Sequence, residues 1–551
     1  MSQALSEYNF QRCHFQLTPV GGVNQIGSNC TLFETKDDFF IIDYGILFPN
    51  DGFLNINYLI PNYNYIKTSK PINLIITHGH EDHIGGIFHL ITNLKIDKIY
   101  APKFAAELIR KKKLKNSNFP IEIFKKDDVI NFKDVDIHPI YVNHSIPDTF
   151  GLIIKSRKDY FDILFISDFK VNQNPIGKDN FQFDKIKKLF SPKIPSFYFL
   201  DSTNALNPNK TAEEVELLPD LKKILIEKRK IFITLFASNV ERIGNIIDLC
   251  EKLKKNLFVL GRSLEDYIQV AKDTGNIVSN KTIHRFDEYP AGEYDPTNCV
   301  FLVSGCQGDF FSALTRLSNE MVKEVKVEPN DLVVFSSKVI PGNEKNIYHL
   351  YNTFTKLGAE VIDSRDYNIH ASGHASQGDI KLLLSEFQPN YYYPIHGETY
   401  FLSRHKNFIN KNYHKIKADF ITNFDIIRFN QKNKIIVEKT EPMEPILVHG
   451  KQVEISRETL RERRKVAQNG IILLFLDRSF NFHHIDTIGL VIPDDFTPKR
   501  IKTIIKTVRA RFSPTDNSEK FKEELRITTR KLYFSGTGIK PITKIYLNDI
   551  N

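Results

Sequence analysis

The chain has 551 residues, 41% of them apolar and 26% charged, enough for a large core and two to four domains. Five scattered cysteines, Cys13, Cys30, Cys250, Cys299 and Cys306, form no C-x-x-C pair, which excludes a disulfide-stapled scaffold and fits reduced thiols in a cytosol. No apolar run approaches the ~18–20 residues of a membrane span and no secretory leader pattern opens the chain, so a cytoplasmic protein without a membrane partner is expected. The formal net charge is +9, and the segment 451–551 holds 20 basic and 12 acidic residues, so nearly all of the excess lies there. A basic terminal segment points to a polyanionic partner.

Strand-like runs open the chain at Phe15 to Val20, Cys30 to Glu34 and Phe39 to Ile42, with glycine punctuation in Gly21-Gly22-Val23-Asn24-Gln25-Ile26-Gly27. Asp43 ends the third run, as a turn residue or as support for a site nearby. The apolar run Ile72 to Ile76 then leads into Thr77-His78-Gly79-His80-Glu81-Asp82-His83-Ile84-Gly85-Gly86. The spacing predicts a strand, a loop that carries the ligands, and then a helix. Imidazole and carboxylate groups so crowded after a buried strand are metal chemistry: they hold Zn²⁺, or Mn²⁺ with more oxygen ligands. The H-x-H-x-D-H order lets His78 and His80 face one ion while Asp82 and His83 face another, and two such ions can clamp a phosphoryl group in displacement. This motif resembles the signature of the metallo-β-lactamase superfamily, which implies a hydrolase fold and a metal site but no particular substrate.

Three later residues repeat one geometry, each just past an apolar strand: His144 after Ile137 to Val142, Asp168 after Ile163 to Ile166, and His396 after Tyr391 to Tyr393. Singly each is ordinary turn chemistry. Together with the H-x-H-x-D-H stretch, they imply that Asp168 bridges both ions, His144 completes the first site and His396 the second.

More than 200 residues separate Asp168 from His396, too many for a loop. Helical and strand patterns alternate there, at Ala212 to Lys228, Ile231 to Leu235, Arg242 to Lys255, Leu257 to Leu260 and Ser263 to Thr274, which predicts an inserted α/β domain with a parallel sheet. Small polar turns follow the apolar strands in this region: Asp201-Ser202-Thr203-Asn204, Ala237-Ser238-Asn239, Ser304 to Asp309, Ser336 to Glu344 and His370 to Asp379. Such turns expose backbone N–H groups that can cradle phosphate. A proline-bearing polar stretch, Glu438 to Pro445, then leads to a terminal segment with the basic run Leu460 to Lys465, a strand-like Ile471 to Leu476, a helix-like Pro498 to Arg511 and a strand-like Ile542 to Leu547.

Taken in order, GGVNQIG, THGHEDHIGG, HSIPD, SDFK, DSTNA, FASN, GRS, SGCQGD, IPGNE, HASGH and PIHGE resemble the ribonuclease J family, the β-CASP branch of the superfamily. The resemblance implies an α/β fold: a metallo-β-lactamase αββα sandwich over 9–205 and 378–440, a β-CASP insert over 206–377, a linker over 441–454 and a small α/β domain over 455–551. It implies a two-metal ribonuclease with 5′-to-3′ exonuclease and endonuclease action in RNA maturation and decay, preferring 5′-monophosphate ends. The metal ligands would be His78, His80, Asp82, His83, His144, Asp168 and His396, holding two divalent ions per subunit, Zn or Mn. The catalytic groups would be Asp82, Asp201 and His374, with Asp201 orienting His374 to donate a proton to the departing oxygen. Ala237, Ser238, Asn239, His370, Ala371, Ser372, Gly373 and His374 would bind substrate. The resemblance also implies a homodimer or homotetramer, or a hetero-oligomer with a paralogue, built through the terminal domain; RNA contact by that domain's basic face rests on charge alone. The chain departs from the family at Asn24-Gln25, Ile166-Ser167 and Cys306. An alternative is a weakly active or non-catalytic paralogue serving as a subunit of an RNA-degrading complex. No Walker-type phosphate loop occurs, so ATP dependence is not expected.

Overall fold

The computed structural model describes residues 13–49, 54–113, 119–172, 180–278, 283–286, 289, 293–450, 452–512 and 518–548. The chain divides into two compact units, one comprising Met1–Phe48 with Tyr58–Ile446 and the other Pro49–Asn57 with Leu447–Asn551.

Two sheets form the frame of the larger unit. The eight-stranded sheet runs, edge to edge, through Ile435–Glu438, Ile426–Asn430, Cys13–Gly21, Cys30–Glu34, Phe39–Ile42, Ile72–Ile75, Ile96–Pro102 and Ile121–Phe124. The seven-stranded sheet runs through Lys417–Ala418, Tyr391–Ile395, Ser196–Asp201, Asp162–Ile166, Phe150–Ser156, Val135–Tyr141 and Ile130–Asn131. The strands Asp162–Ile166, Ser196–Asp201 and Tyr391–Ile395 read as near-continuous apolar runs because both faces are covered. Ile163, Phe165, Phe197, Phe199, Tyr393 and Ile395 point into the core between the sheets, against Phe15, Phe33 and Phe40. The alternate residues Leu164, Ile166, Tyr198, Leu200 and Tyr392 point the other way, against helices Phe183–Leu189, Gln377–Glu386 and Thr399–Asn412. Each fully buried Phe of this set contributes roughly 1.5–3 kcal/mol. The αββα layering expected from the sequence is present.

Register decides where the strands end. Asp162–Ile166, Ser196–Asp201 and Tyr391–Ile395 are parallel, with Ile166 beside Leu200 and Asp201 beside Ile395. Asp168, Asp201 and His396 therefore emerge at one edge. Strands Val135–Tyr141 and Phe150–Ser156 are antiparallel with Tyr141 opposite Phe150, so His144, in their connection, reaches the same edge. The Phe150 amide donates to the Thr77 carbonyl at 3.1 Å, which ties that edge to the end of strand Ile72–Ile75 in the other sheet.

The inserted domain carries a six-stranded all-parallel sheet, His284–Arg285, Asn256–Leu260, Cys299–Val303, Ile231–Thr234, Leu332–Phe335 and Glu360–Ile362. The carboxyl ends of its strands share one edge, where ligands of open α/β sheets bind. The smaller unit holds a three-stranded sheet, Phe482–Ile488, Ile471–Asp477 and Ile542–Asn548, packed on helices Pro498–Arg509 and Ser518–Thr537. Among the described residues no helix is long and apolar enough to cross a membrane.

Four expectations need correction. Asp82 and His83 lie not in the loop but in the first turn of a short helix, Glu81–Ile84. The helix expected over Ala212 to Lys228 is a 3₁₀ turn, Glu214–Leu217, followed by helix Leu218–Leu225, because Pro219 lacks an amide and suits only a first turn. The expected linker 441–454 contains strand Ile446–His449 and the start of Val453–Ile455, which pair through Leu447 and Ile455. The smaller unit also takes Leu54–Asn57 from the early chain: the Asn57 amide donates to the Val448 carbonyl at 2.9 Å, and Asn57 Oδ1 accepts from the Gly450 amide at 2.6 Å.

Candidate metal centre

Seven side chains converge where the sheet ends meet. His78 Nε2 lies 3.2 Å from His80 Nδ1, which lies 3.1 Å from His144 Nε2. Asp168 Oδ2 closes this group, 3.4 Å from His144 and 3.7 Å from His78. Its other oxygen, Oδ1, faces a second group, 3.1 Å from His83 Nε2 and 3.6 Å from His396 Nε2. Asp82 Oδ2 stands 3.5 and 3.3 Å from the same two nitrogens. One carboxylate is shared between two sets of donor atoms.

These spacings test the fit of a metal. Tetrahedral bonds of ~2.0–2.1 Å set neighbouring donors about 3.3–3.4 Å apart, and the eight distances run from 3.1 to 3.7 Å around that value. Asp168 Oδ1 is buried without a hydrogen-bond partner among the described residues. Both sets fit a divalent cation.

Four of the five rings are aimed from behind. Asp43 Oδ2 accepts from His83 Nδ1 at 2.7 Å and from Thr77 Oγ1 at 2.8 Å, and Thr77 Oγ1 meets His78 Nδ1 at 3.0 Å. His144 Nδ1 donates to the Gly373 carbonyl at 2.6 Å, and His396 Nδ1 meets Thr203 Oγ1 at 2.8 Å. The partner on the far nitrogen leaves Nε2 of these four rings facing the centre. Asp43 and His396 hold left-handed backbone, φ +60° and +50°, strain that persists where surrounding structure over-determines it.

The electrostatics sort the rings into two kinds. Burial holds His78 and His144 well below the usual histidine range and brings His80 down to about 4, so their lone pairs are available. Burial also lowers His83 and His396, but carboxylates outweigh it: Asp168, Asp82 and Asp43 keep His83 well above its ordinary value, and Asp168 with Asp201 and Asp82 raises His396 to about 10. Burial would raise Asp168 and Asp82, yet the surrounding histidines keep both well below the usual carboxylate range. Cations entering the second set must displace protons, so binding there weakens in acid.

Comparison with known proteins agrees with this geometry. Residues 23–152 match the profile of the metallo-β-lactamase superfamily, 228–354 that of the ribonuclease J β-CASP domain, and 359–419 that of the Zn-dependent metallo-hydrolase RNA specificity domain. A curated ribonuclease J of Mycoplasma genitalium is 30% identical over 92% of this chain and 91% of its own length. Ribonuclease J 1 of Streptococcus pyogenes is 31% identical over 84% of this chain and 83% of its own. The chain belongs to the ribonuclease J family. Membership makes it a metal-dependent nuclease of the β-CASP group, with RNA as substrate. A crystal structure of a protein of unknown function from Enterococcus faecalis, 15% identical, shares the fold over 75% of this chain and 99% of its own with a TM-score of 0.53.

The residues that the ribonuclease J resemblance assigned to proton transfer lie beside the metal cluster. His374 Nδ1 donates to Asp201 Oδ2 at 2.8 Å and lies 3.8 Å from Asp168 Oδ2. Burial pulls His374 down, but Asp201 and Asp168 leave it raised; burial pushes Asp201 up, but His374 and His396 bring it to about 2. Gly373 is required beside them, because a Cβ there would lie 2.8 Å from His144 Cε1.

The expected phosphate loops are organised by residues that the sequence did not single out. Arg242, fully buried, donates to Glu214 Oε1 at 2.6 Å and Oε2 at 3.0 Å, to the Ser336 carbonyl at 2.8 Å and to the Ala371 carbonyl at 3.1 Å, and meets His370 Nδ1 at 3.2 Å. Burial and then Arg242 push His370 down to about 3. Asn239 Oδ1 caps the helix Val240–Lys252 by accepting from the Arg242 amide at 3.1 Å, while Ala237 and Ser238 are half-buried beside it. Ser372 Oγ accepts from the His374 amide at 3.1 Å. Asn29 was also missed: its Nδ2 lies 3.0 Å from His83 Nε2 and 3.4 Å from Asp82 Oδ2. A lone Asn after Gly-Ser gives no periodic or spacing signal.

Proposed function

We propose that this chain is a two-metal ribonuclease acting in RNA maturation and decay, with 5′-to-3′ exonuclease and endonuclease activities and a preference for 5′-monophosphate ends. His78, His80, His144 and Asp168 would hold one divalent ion, Zn or Mn, and Asp82, His83, His396 and Asp168 the other. Such ions supply Lewis acidity at a phosphoryl oxygen and acidify bound water. The observation that carries the reading is the shared Asp168 with the His374 and Asp201 pair directly beside it. In this reading Asp201 keeps the His374 ring protonated and turned, so that Nε2 can give a proton to the departing 3′ oxygen. Ala237, Ser238 and Asn239, with His370 to His374, line the path of the substrate phosphates, and Arg242 keeps the two loops in mutual register. The smaller unit would assemble subunits into a dimer or tetramer in the cytoplasm, its excess of basic residues adding RNA contact.

The test is cleavage of a 5′-monophosphorylated, 3′-labelled RNA, against its 5′-triphosphate form, with added Zn²⁺ or Mn²⁺. Wild type should release 5′-directed products faster from the monophosphate; Asp82→Ala with His83→Ala should release none. His374→Ala should retain its metal and lose roughly 10²–10⁴-fold in kcat. A wild-type protein that binds this RNA without cleaving it would replace the catalytic reading with that of an accessory subunit.

A further inference from the structure

The loop after strand Cys299–Val303 of the inserted sheet presents two consecutive aromatic rings to solvent. Phe310 is 80% exposed and Phe311 87%, with centroids 4.9 Å apart and planes at 89°. Large aromatic side chains normally bury most of their surface, so two adjacent bare rings mark a binding surface. The loop that carries them is held in place. Gln307 Oε1 accepts from the Ile340 amide at 2.9 Å, and Gln307 Nε2 donates to the Lys338 carbonyl at 3.0 Å. Ser312 Oγ accepts from the Thr315 amide at 3.2 Å and so caps helix Ala313–Ser318. Gly308 fits closely over Asn346, where a Cβ would meet the Asn346 Cβ at 2.8 Å.

Exposed cations flank this loop. Lys338 is bonded to it through its carbonyl, Lys345 adjoins Asn346, and Arg262 follows Gly261, which packs on Ser304 at the loop's start. Two acids lie close by: Glu344 is turned onto the Gly342 amide at 2.8 Å, and Asp309 is exposed in the loop directly before Phe310. The loop also sits at the carboxyl edge of the inserted sheet, as do the turns that follow strands Ile231–Thr234 and Leu332–Phe335. The contacts continue from Gln307 to the 338–343 turn, whose strand-end neighbour Ser336 donates to the Ile369 carbonyl at 2.7 Å, immediately before the His370 to His374 loop.

We propose that Phe310 and Phe311 form a stacking platform for bases of single-stranded RNA, with Arg262, Lys338 and Lys345 drawing in the phosphates. Aromatic faces bind every base, and interleaved cations track the backbone, the combination that single-strand binders use. The platform rests on the ribonuclease reading for its substrate class and adds a subsite that grips RNA through its bases, away from the reacting phosphate.

The test uses the full chain and a 5′-monophosphorylated 12-nucleotide RNA carrying 2-aminopurine at successive positions. Wild type should quench the probe at one or two neighbouring positions. Phe310→Ala with Phe311→Ala should abolish that quench and raise both Kd and KM about tenfold, with kcat unchanged. The Leu pair should behave like the Ala pair, and the Tyr pair like wild type. An abasic RNA lacking those bases should bind wild type as weakly as the Ala pair binds the intact strand. Equal Kd for wild type and the Ala pair overturns the platform, as does a Leu pair that binds like wild type. Loss of subunit association with RNA affinity intact also overturns it, in favour of a protein interface. Because quenching needs no turnover, a wild type that quenches without cleaving sinks the nuclease reading and leaves the platform standing. One that cleaves without Phe-dependent affinity does the reverse.

Discussion

At the candidate metal centre the groups that fix the histidines are mostly carboxylate and hydroxyl oxygens; in the inserted domain one guanidinium does the fixing. Asp43 and Asp168 put negative charge around the imidazoles, whereas Arg242 collects the carbonyls of Ser336 and Ala371 and the ring of His370 around positive charge. In the first arrangement protons on His83 and His396 balance the carboxylates until a cation displaces them. The second is self-neutralised by Glu214, which burial pushes up but Arg242 and then Lys170 bring below its ordinary value. One region is completed by binding, the other is complete before binding.

The sharpest way to break this contrast is Asp168→Ala. Losing the shared carboxylate should cost at least one bound ion by elemental analysis and lower RNA cleavage by about a thousandfold or more; two ions retained at full occupancy would mean that the clusters are independent. Next, Arg242→Met leaves the Glu214 carboxylate buried and unpaired, which should cost about 3–5 kcal/mol in urea unfolding whether or not metal is present. Adding Glu214→Gln should recover part of the loss. Asp43→Asn should be milder, weakening metal affinity roughly 10–100-fold in chelator competition while the metal-free protein unfolds nearly as before.

The smallest effect concerns His405, a buried ring outside the carboxylate cluster, held by Ser202 Oγ at 3.0 Å and Tyr392 Oη at 2.7 Å. Burial brings it down to about 3, so between that value and the ~6.5 of an unfolded histidine the unfolded chain binds the extra proton. Its stabilising contribution is full above that upper value and fades as the pH falls through the window. Between pH 7 and pH 5 it should cost about 2 kcal/mol of stability, and His405→Gln should remove that slope. An unchanged slope would assign the acid sensitivity elsewhere.

What could be read from sequence followed the range of the forces involved. His78 to His83, His144, Asp168 and His396 each follow an apolar strand, so local pattern placed them at strand ends and the parallel register brought them together. Thr203, Asn29 and the Arg242 and Glu214 pair act across 193, 54 and 28 residues of chain, where no local period records the contact. The long helix Ser518–Thr537 was passed over because its buried stripe, Phe521, Leu525, Thr529 and Tyr533, includes a polar residue and breaks an apolar count. Strand Phe482–Ile488 was hidden for a similar reason: His483, His484 and Asp486 interrupt its alternation, and none of its residues is fully buried. Leu54–Asn57 belongs to the smaller unit through contacts some 390 residues away, the Asn57 amide on the Val448 carbonyl and Asn57 Oδ1 under the Gly450 amide, which no local pattern records.

The bond from His144 Nδ1 to the Gly373 carbonyl has a thermodynamic corollary. A backbone oxygen from the loop proposed to hold substrate phosphates aims a ring of the candidate metal centre, so in that reading loop position and ligand strength are not independent variables. Linkage makes the exchange symmetric: whatever factor a bound ion adds to RNA affinity through this loop, bound RNA must add to the affinity for the ion. Metal occupancy would then be a function of RNA concentration as well as of metal supply.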